Sequence, residues 1–118
     1  MILLVEDEAP VRAFASRALR FRGYTVLEAD SAESALKILE DEGLAIDLFV
    51  TDVVMPGKDG PSWVKESLVM RPNVRVVFVS GYAEDKFDDT TDVISNSVFL
   101  PKPFSLNDLT DTVHRKLN

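Results

Sequence analysis

Glu6, Asp7, Asp52, Ser80 and Lys102 are the side chains of this sequence whose types could do chemistry together. Three carboxylates in one small space repel each other and raise one another's pKa. A divalent cation relieves that repulsion, and oxygen donors without His or Cys favour Mg2+, which keeps several of its waters. A cation with a lysine nearby suits a phosphoryl group, whose transfer is catalysed mostly by positioning and charge stabilisation. An aspartate can itself be the nucleophile and end as an aspartyl phosphate. Asp52 is the candidate for that role, because it closes the central apolar run. Lys102 would neutralise one phosphoryl oxygen as a point charge, and Ser80 would donate a hydrogen bond to another.

Taken singly, these residues have plainer readings. A Glu-Asp pair after a strand is often a loop or a helix N-cap, and a serine there is usually a turn residue. Lys102 stands between Pro101 and Pro103, where solvent could hold it. Asp52 is harder to dismiss, since an unpaired carboxylate at the end of a buried strand is costly. The common placement of the five joins them. Ile2-Leu3-Leu4-Val5 runs into Glu6-Asp7, Leu48-Phe49-Val50-Thr51 into Asp52, Val76-Val77-Phe78-Val79 into Ser80, and Val98-Phe99-Leu100-Pro101 into Lys102. Thr25-Val26-Leu27 alone lacks such an ending. Short apolar runs rich in β-branched residues and separated by helix-length segments read as buried parallel strands. In an open parallel sheet, ligands bind outside the carboxyl ends of the strands. Four of the five strands would thus bring their polar ends to one rim.

Strands alternate with segments that read as helices, which predicts an α/β, doubly wound sheet. The first helix is expected over 10–21, with Pro10 suited to a helix start, a stripe of Val11, Phe14, Ala15, Ala18 and Leu19, and Gly23 as its stop. Asp30 to Glu33 offers a cap and an acid for the second helix, with Ala35, Leu36 and Leu39 on its buried side and Gly43 at its end. Turn chemistry over 55–60 precedes a third helix over 61–70. A helix over 84–94 has the poorest composition, being rich in Asp and Thr. Ser105-Leu106-Asn107-Asp108 opens the last helix, with Leu106, Leu109, Val113 and Leu117 at core spacing. Trp63 on the third helix reads as packing, and His114 on the last as surface.

The 118 residues fit one domain, and 46% hydrophobic content suffices for a core. The absence of Cys rules out a disulfide or a thiolate metal site, which fits a reducing cytoplasm. No apolar stretch approaches the roughly 20 residues that span a bilayer, so membrane insertion by this domain is not expected. The first residues do not read as a signal peptide. A net charge of −7 without a basic patch argues against nucleic-acid binding.

Four motifs carry a family resemblance over essentially the whole chain. They are Leu4-Val5-Glu6-Asp7-Glu8, Thr51-Asp52-Val53-Val54-Met55-Pro56 with Asp59-Gly60, Val79-Ser80-Gly81, and Lys102-Pro103-Phe104. In these the chain resembles the receiver domain of bacterial two-component response regulators. The resemblance implies a flavodoxin-like five-stranded parallel sheet of order 2-1-3-4-5, in which Asp52 accepts a phosphoryl group from a phosphohistidine. It implies that Mg2+ is bound by Asp7, Asp52 and the Val54 carbonyl, with Glu6 acting through a water. Ser80 and Lys102 match the phosphate-contacting hydroxyl and lysine, Ser80 and Phe99 the switch pair, and a cis Lys102-Pro103 bond is expected. The implied partners are a histidine kinase dimerisation domain and a histidine phosphotransfer protein, docking on Pro10, Val11, Phe14, Pro103 and Phe104.

The wording of Phe78 to Glu84 and of Phe99 to Leu106 is similar to the C-terminal receivers of hybrid histidine kinases. The chain is accordingly expected to be a single receiver domain, 1–118, taken from a longer kinase; a stand-alone single-domain regulator is the alternative. The expected location is cytoplasmic, whether or not a parent kinase is anchored in the inner membrane. Two departures matter. Phe99 replaces the more usual tyrosine, and the first acid is Glu6 rather than Asp. A phosphatase with an aspartate nucleophile would want an acid where Val54 stands. A flavodoxin-like cofactor module would not place Glu6-Asp7-Glu8 where a phosphate binds. Val54 and Tyr82 are expected to border the path of a hydrolytic water.

Overall fold

The computed structural model describes residues 1–81 and 97–118. Its elements are β1 (Ile2–Val5), α1 (Ala9–Phe21), β2 (Val26–Ala29), α2 (Ala32–Leu39), β3 (Leu48–Asp52), α3 (Gly60–Leu68), β4 (Arg75–Ser80), β5 (Ser97–Pro101) and, last, α4 (Leu106–Leu117). The strands form one parallel sheet in the order β2-β1-β3-β4-β5, as expected. The helix expected over 84–94 and Tyr82 lie outside the described residues.

Period-two alternation along the strands sorts the core into two layers. Leu3, Val5, Phe49, Val76 and Phe78 face α2 and α3, where Ala32, Ala35, Trp63 and Val64 are buried. Ile2, Leu4, Leu48, Val50, Val77 and Val79 face α1 and α4, where Ala15, Ala18, Leu19, Leu109 and Val113 are buried. The strands β1 and β3 are buried at every position, whereas β2 and β5 are only partly so. Edge strands have one neighbour each, so the expectation of fully buried strands holds only inside the sheet.

Helix ends explain where the sequence reading held and where it slipped. Gly23 does stop α1: its φ of 94° opens a left-handed turn, with its amide bonded to Arg20 O and that of Tyr24 to Leu19 O. The cap of α2 is Ser31 rather than Asp30, its hydroxyl accepting from the Ser34 amide at 3.0 Å. Nor does Gly43 end α2. The helix closes at Leu39, and the Arg71 guanidinium donates to the carbonyls of Leu39, Asp41 and Leu44. A side chain 27 or more residues away therefore serves the α2 exit that a local glycine was expected to serve. The start of α4 at Ser105 holds, closed by a capping box with Asp108, yet Leu106 stays 39% exposed and does not join the core. As the first helical residue it lies on the solvent side of the turn that the cap starts.

Candidate functional site

The carboxyl ends of β1, β3, β4 and β5 form one rim, and all five chemistry-bearing residues stand on it. Asp52 is the last residue of β3 and Ser80 the last of β4, both buried. Glu6 and Asp7 follow β1, and Lys102 follows β5, its amide bonded to Ser80 O at 2.8 Å. Glu6, Asp7 and Asp52 each offer a carboxylate oxygen within 4.8 Å of the others. A set of hard oxygen donors this close, with no soft ligand, fits a hard divalent cation such as Mg2+.

Lys102 is the internal counter-charge. Its Nζ lies 2.8 Å from Glu6 Oε1 and 3.1 Å from Asp52 Oδ2. The Glu6 side chain is 4% exposed and that of Asp52 8%, so these contacts act with little solvent screening. Burial foremost, then the charge of Glu6, pushes the Asp52 carboxyl up to about 7; Lys102 opposes this. For Lys102, burial works against the charged form, but hydrogen bonding to Glu6 and the charge of Asp52 outweigh it, and its pKa is raised. Glu6 is fixed on both oxygens, since Oε2 accepts from the Glu8 amide at 3.1 Å. Among the described residues no hydrogen bond engages the Asp7 carboxylate, which stands more open and remains available to a ligand.

The loop after β3 completes the cleft, which Asp7, Glu8, Asp52, Val54, Met55, Pro56, Gly81 and Lys102 line. Val54 is 42% exposed at its edge. Gly60 shapes this loop. Its amide bonds Val53 O at 2.8 Å, and a Cβ at that position would overlap the Asp52 carbonyl oxygen. Only glycine lets α3 begin this close to the end of β3. Asp59 caps α3 by accepting from the Ser62 amide at 2.8 Å. The Trp63 indole is fully buried and donates to Thr51 Oγ1 at 3.0 Å, one residue from Asp52.

Beside the cleft, Phe14 is 37% exposed and meets Phe104 edge-to-face, ring centroids 6.1 Å apart. Phe14 therefore belongs to the surface rather than to the core. Pro10 and Pro103 are exposed, and Val11 and Phe104 are half-buried and line a small space with Glu6 and Asp52. The Lys102-Pro103 peptide is cis. Phe99 is half-buried against the α2–α3 layer. Two site residues escaped the sequence reading. Glu8 sits in the cleft 3.8 Å from Lys102, and its place in the Glu6-Asp7-Glu8 run was a usable signal. Arg12 donates to the Glu6 carbonyl at 2.8 Å, and its position on α1 gave no hint of that.

Comparison with known proteins agrees with this geometry. Residues 2–114 match the family model described as the response regulator receiver domain. The chain is 49% identical over 116 residues to the sensor kinase CckA of Brucella abortus, covering 98% of this chain but only 12% of that kinase. It is 33% identical to the response regulator receiver protein CpdR of Brucella abortus, covering 98% of this chain and 95% of that protein. The crystal structure of the receiver domain from the hybrid histidine kinase CckA superposes with a TM-score of 0.85 at 42% identity, over 99% of this chain and 98% of that one. The rim chemistry, the strand order and these likenesses converge, and the chain belongs to the response regulator receiver domain family.

Proposed function

We propose that Asp52 takes a phosphoryl group from a phosphohistidine of a partner protein. An Asp52 carboxylate oxygen attacks phosphorus, forming an O–P bond as the P–N bond to imidazole breaks. The departing ring nitrogen keeps the electron pair. Asp7, Asp52 and the Val54 carbonyl would hold Mg2+, with Glu6 acting through a water. When bound, the metal supplies positive charge beside the phosphoryl oxygens. Lys102 neutralises a phosphoryl oxygen from the β5 side, and the Ser80 hydroxyl donates to another. Ser80 and Phe99 form the switch pair that senses the added group.

One observation carries this reading: the lysine ammonium bridges Glu6 and Asp52 at the mouth of an acidic cleft, supplying nucleophile, cation ligands and charge neutraliser together. Intact mass after incubation with Mg2+ and a small phosphodonor tests it. One phosphoryl group is expected on the native chain and none on Asp52→Asn; stable uptake by Asp52→Asn would overturn the assignment.

The surface of Pro10, Val11, Phe14, Pro103 and Phe104 would receive the histidine-bearing helix of a kinase dimerisation domain or a phosphotransfer protein. The likeness to a small part of a sensor kinase supports a module of a longer hybrid kinase, working in the cytoplasm. The near full-length match to CpdR favours a second reading, a single-domain regulator acting by protein contact.

A further inference from the structure

We propose that Arg12 is a positioning residue for the acidic pair: its guanidinium, held by Glu28 of the edge strand, fixes the Glu6–Asp7 peptide and thereby sets the affinity of the cleft for a divalent cation. The inference rests on the reading of that cleft as a cation site. Arg12 lies in the first turns of α1, its side chain 22% exposed. Nη1 donates to the Glu6 carbonyl at 2.8 Å, and Nε lies 3.7 Å from Glu28 Oε1. Glu28 is itself held, accepting from Ser16 Oγ at 3.1 Å and lying 3.6 Å from Arg20 Nη2. Arg20 also donates to Ser16 Oγ and to the Val26 carbonyl, so the network is tied to the backbone of β2.

The geometry matters because of where Glu6 stands. Its amide bonds Ala29 O at 3.1 Å, the last rung before the chain leaves the sheet. Its carbonyl points to Arg12. The Glu6 amide belongs to the peptide before it and the Glu6 carbonyl to the planar Glu6–Asp7 peptide, so holding both restricts the two Glu6 dihedrals between them and with these the direction in which Asp7 departs. The Asp7 carboxylate has no hydrogen bond of its own among the described residues, so the backbone on either side positions it: the Glu6 carbonyl held by Arg12 and the Glu8 amide held by Glu6 Oε2. Arg12 is not among the residues that line the cleft; it acts through the backbone. A purely structural surface ion pair would make a different prediction, a small change in stability with no change in cation affinity.

Calorimetric titration of the chain with Mg2+, together with amide hydrogen exchange of the metal-free protein, separates the two. Partners that orient metal ligands typically alter metal affinity ten- to a hundredfold, so Arg12→Ala is expected to bind Mg2+ about tenfold more weakly. Arg12→Met, which keeps the apolar stem and loses every donor, should show the same loss and serves if the alanine variant does not fold. Arg12→Lys restores one donor and should recover part of the affinity. In metal-free Arg12→Met, the Asp7 and Glu8 amides should exchange faster than in the native chain, while α4 amides are unchanged. Mg2+ affinity of Arg12→Met within about twofold of native would overturn the proposal, since supporting partners cost more than that. A native chain that fails to bind Mg2+ would instead defeat the cation reading of the cleft. The exchange rates would then decide the positioning role alone, and unchanged Asp7 and Glu8 amides would end it.

Discussion

At the scale of single residues, the Asp52 carboxyl is the group most altered by folding, pushed up to about 7 from its ordinary 3.8, first by burial and then by Glu6. Between those two values the folded domain keeps a proton that the unfolded chain has released. Raising the pH through this window therefore favours unfolding. Without metal, thermal stability should fall from pH 5 to pH 8 by on the order of a few kcal/mol, and Asp52→Asn should abolish most of that fall. Melting curves in chelator at both pH values check this; an equal fall in the Asn variant would assign the effect elsewhere. The carboxylate must be ionised to bind a cation, so Mg2+ affinity should rise across the same window. Among the acids, Glu6 already satisfies both oxygens through Lys102 and the Glu8 amide, whereas Asp7 does not. Asp7→Asn should accordingly weaken Mg2+ binding more than Glu6→Gln, and a titration giving native affinity for Asp7→Asn would exclude it as a direct ligand. All five rim residues were legible from their places after apolar runs. Arg12 was not, because a side chain that bonds a backbone carbonyl six residues back leaves no mark in composition or period.

At the scale of elements, the strands were the most legible feature, since their burial forces near-continuous apolar runs. Helix ends were less so. Ser31 and Asp30 are adjacent and chemically alike as caps, and only the backbone decides that Ser31 takes the Ser34 amide. The exit of α2 was beyond any local reading, because Arg71 belongs to a later segment. The start of α4 was readable, its reciprocal box of Ser105 and Asp108 was not, and Ser105→Ala should cost about 1 kcal/mol in denaturant unfolding. Phe14 shows the limit of periodicity: it shares a stripe with Ala15 and Ala18 but leans on Phe104 at the surface. If α1 and the loop after β5 receive the phosphohistidine partner, Phe14→Asp should slow transfer from that partner by about tenfold, the effect of losing roughly 1.4 kcal/mol of interface energy. Phosphorylation by a small donor should be unchanged, because Phe14 is not among the residues lining the cleft. Equal loss with both donors would point to damage of the fold.

At the scale of the whole molecule, the sheet divides the core into two layers, and the strands that both layers bury carry the acidic cluster at their ends. Repulsion within Glu6, Asp7 and Asp52 is thus a load on the entire fold. Saturating Mg2+ at pH 8 should raise the melting temperature of the native chain by several degrees, as binding to the folded state requires. Asp52→Asn should start higher and gain less; an equal gain would separate the cation from Asp52. The doubly wound arrangement followed from patterning and the strand order from the family motifs, while the individual contacts between helix and sheet did not, since neither period nor composition marks which side chains meet. One of these, the indole of Trp63 on Thr51, makes the domain its own optical gauge. The ring is sealed from solvent and lies 4.8 Å from Phe49 of the strand that Asp52 ends. Its emission should be blue-shifted and out of reach of iodide, so an intensity change on phosphorylation would arise from the protein around the ring, with β3 and the start of α3 its nearest links to Asp52. That light would report events at Asp52 from inside the protein, with no label and no contribution from bulk water.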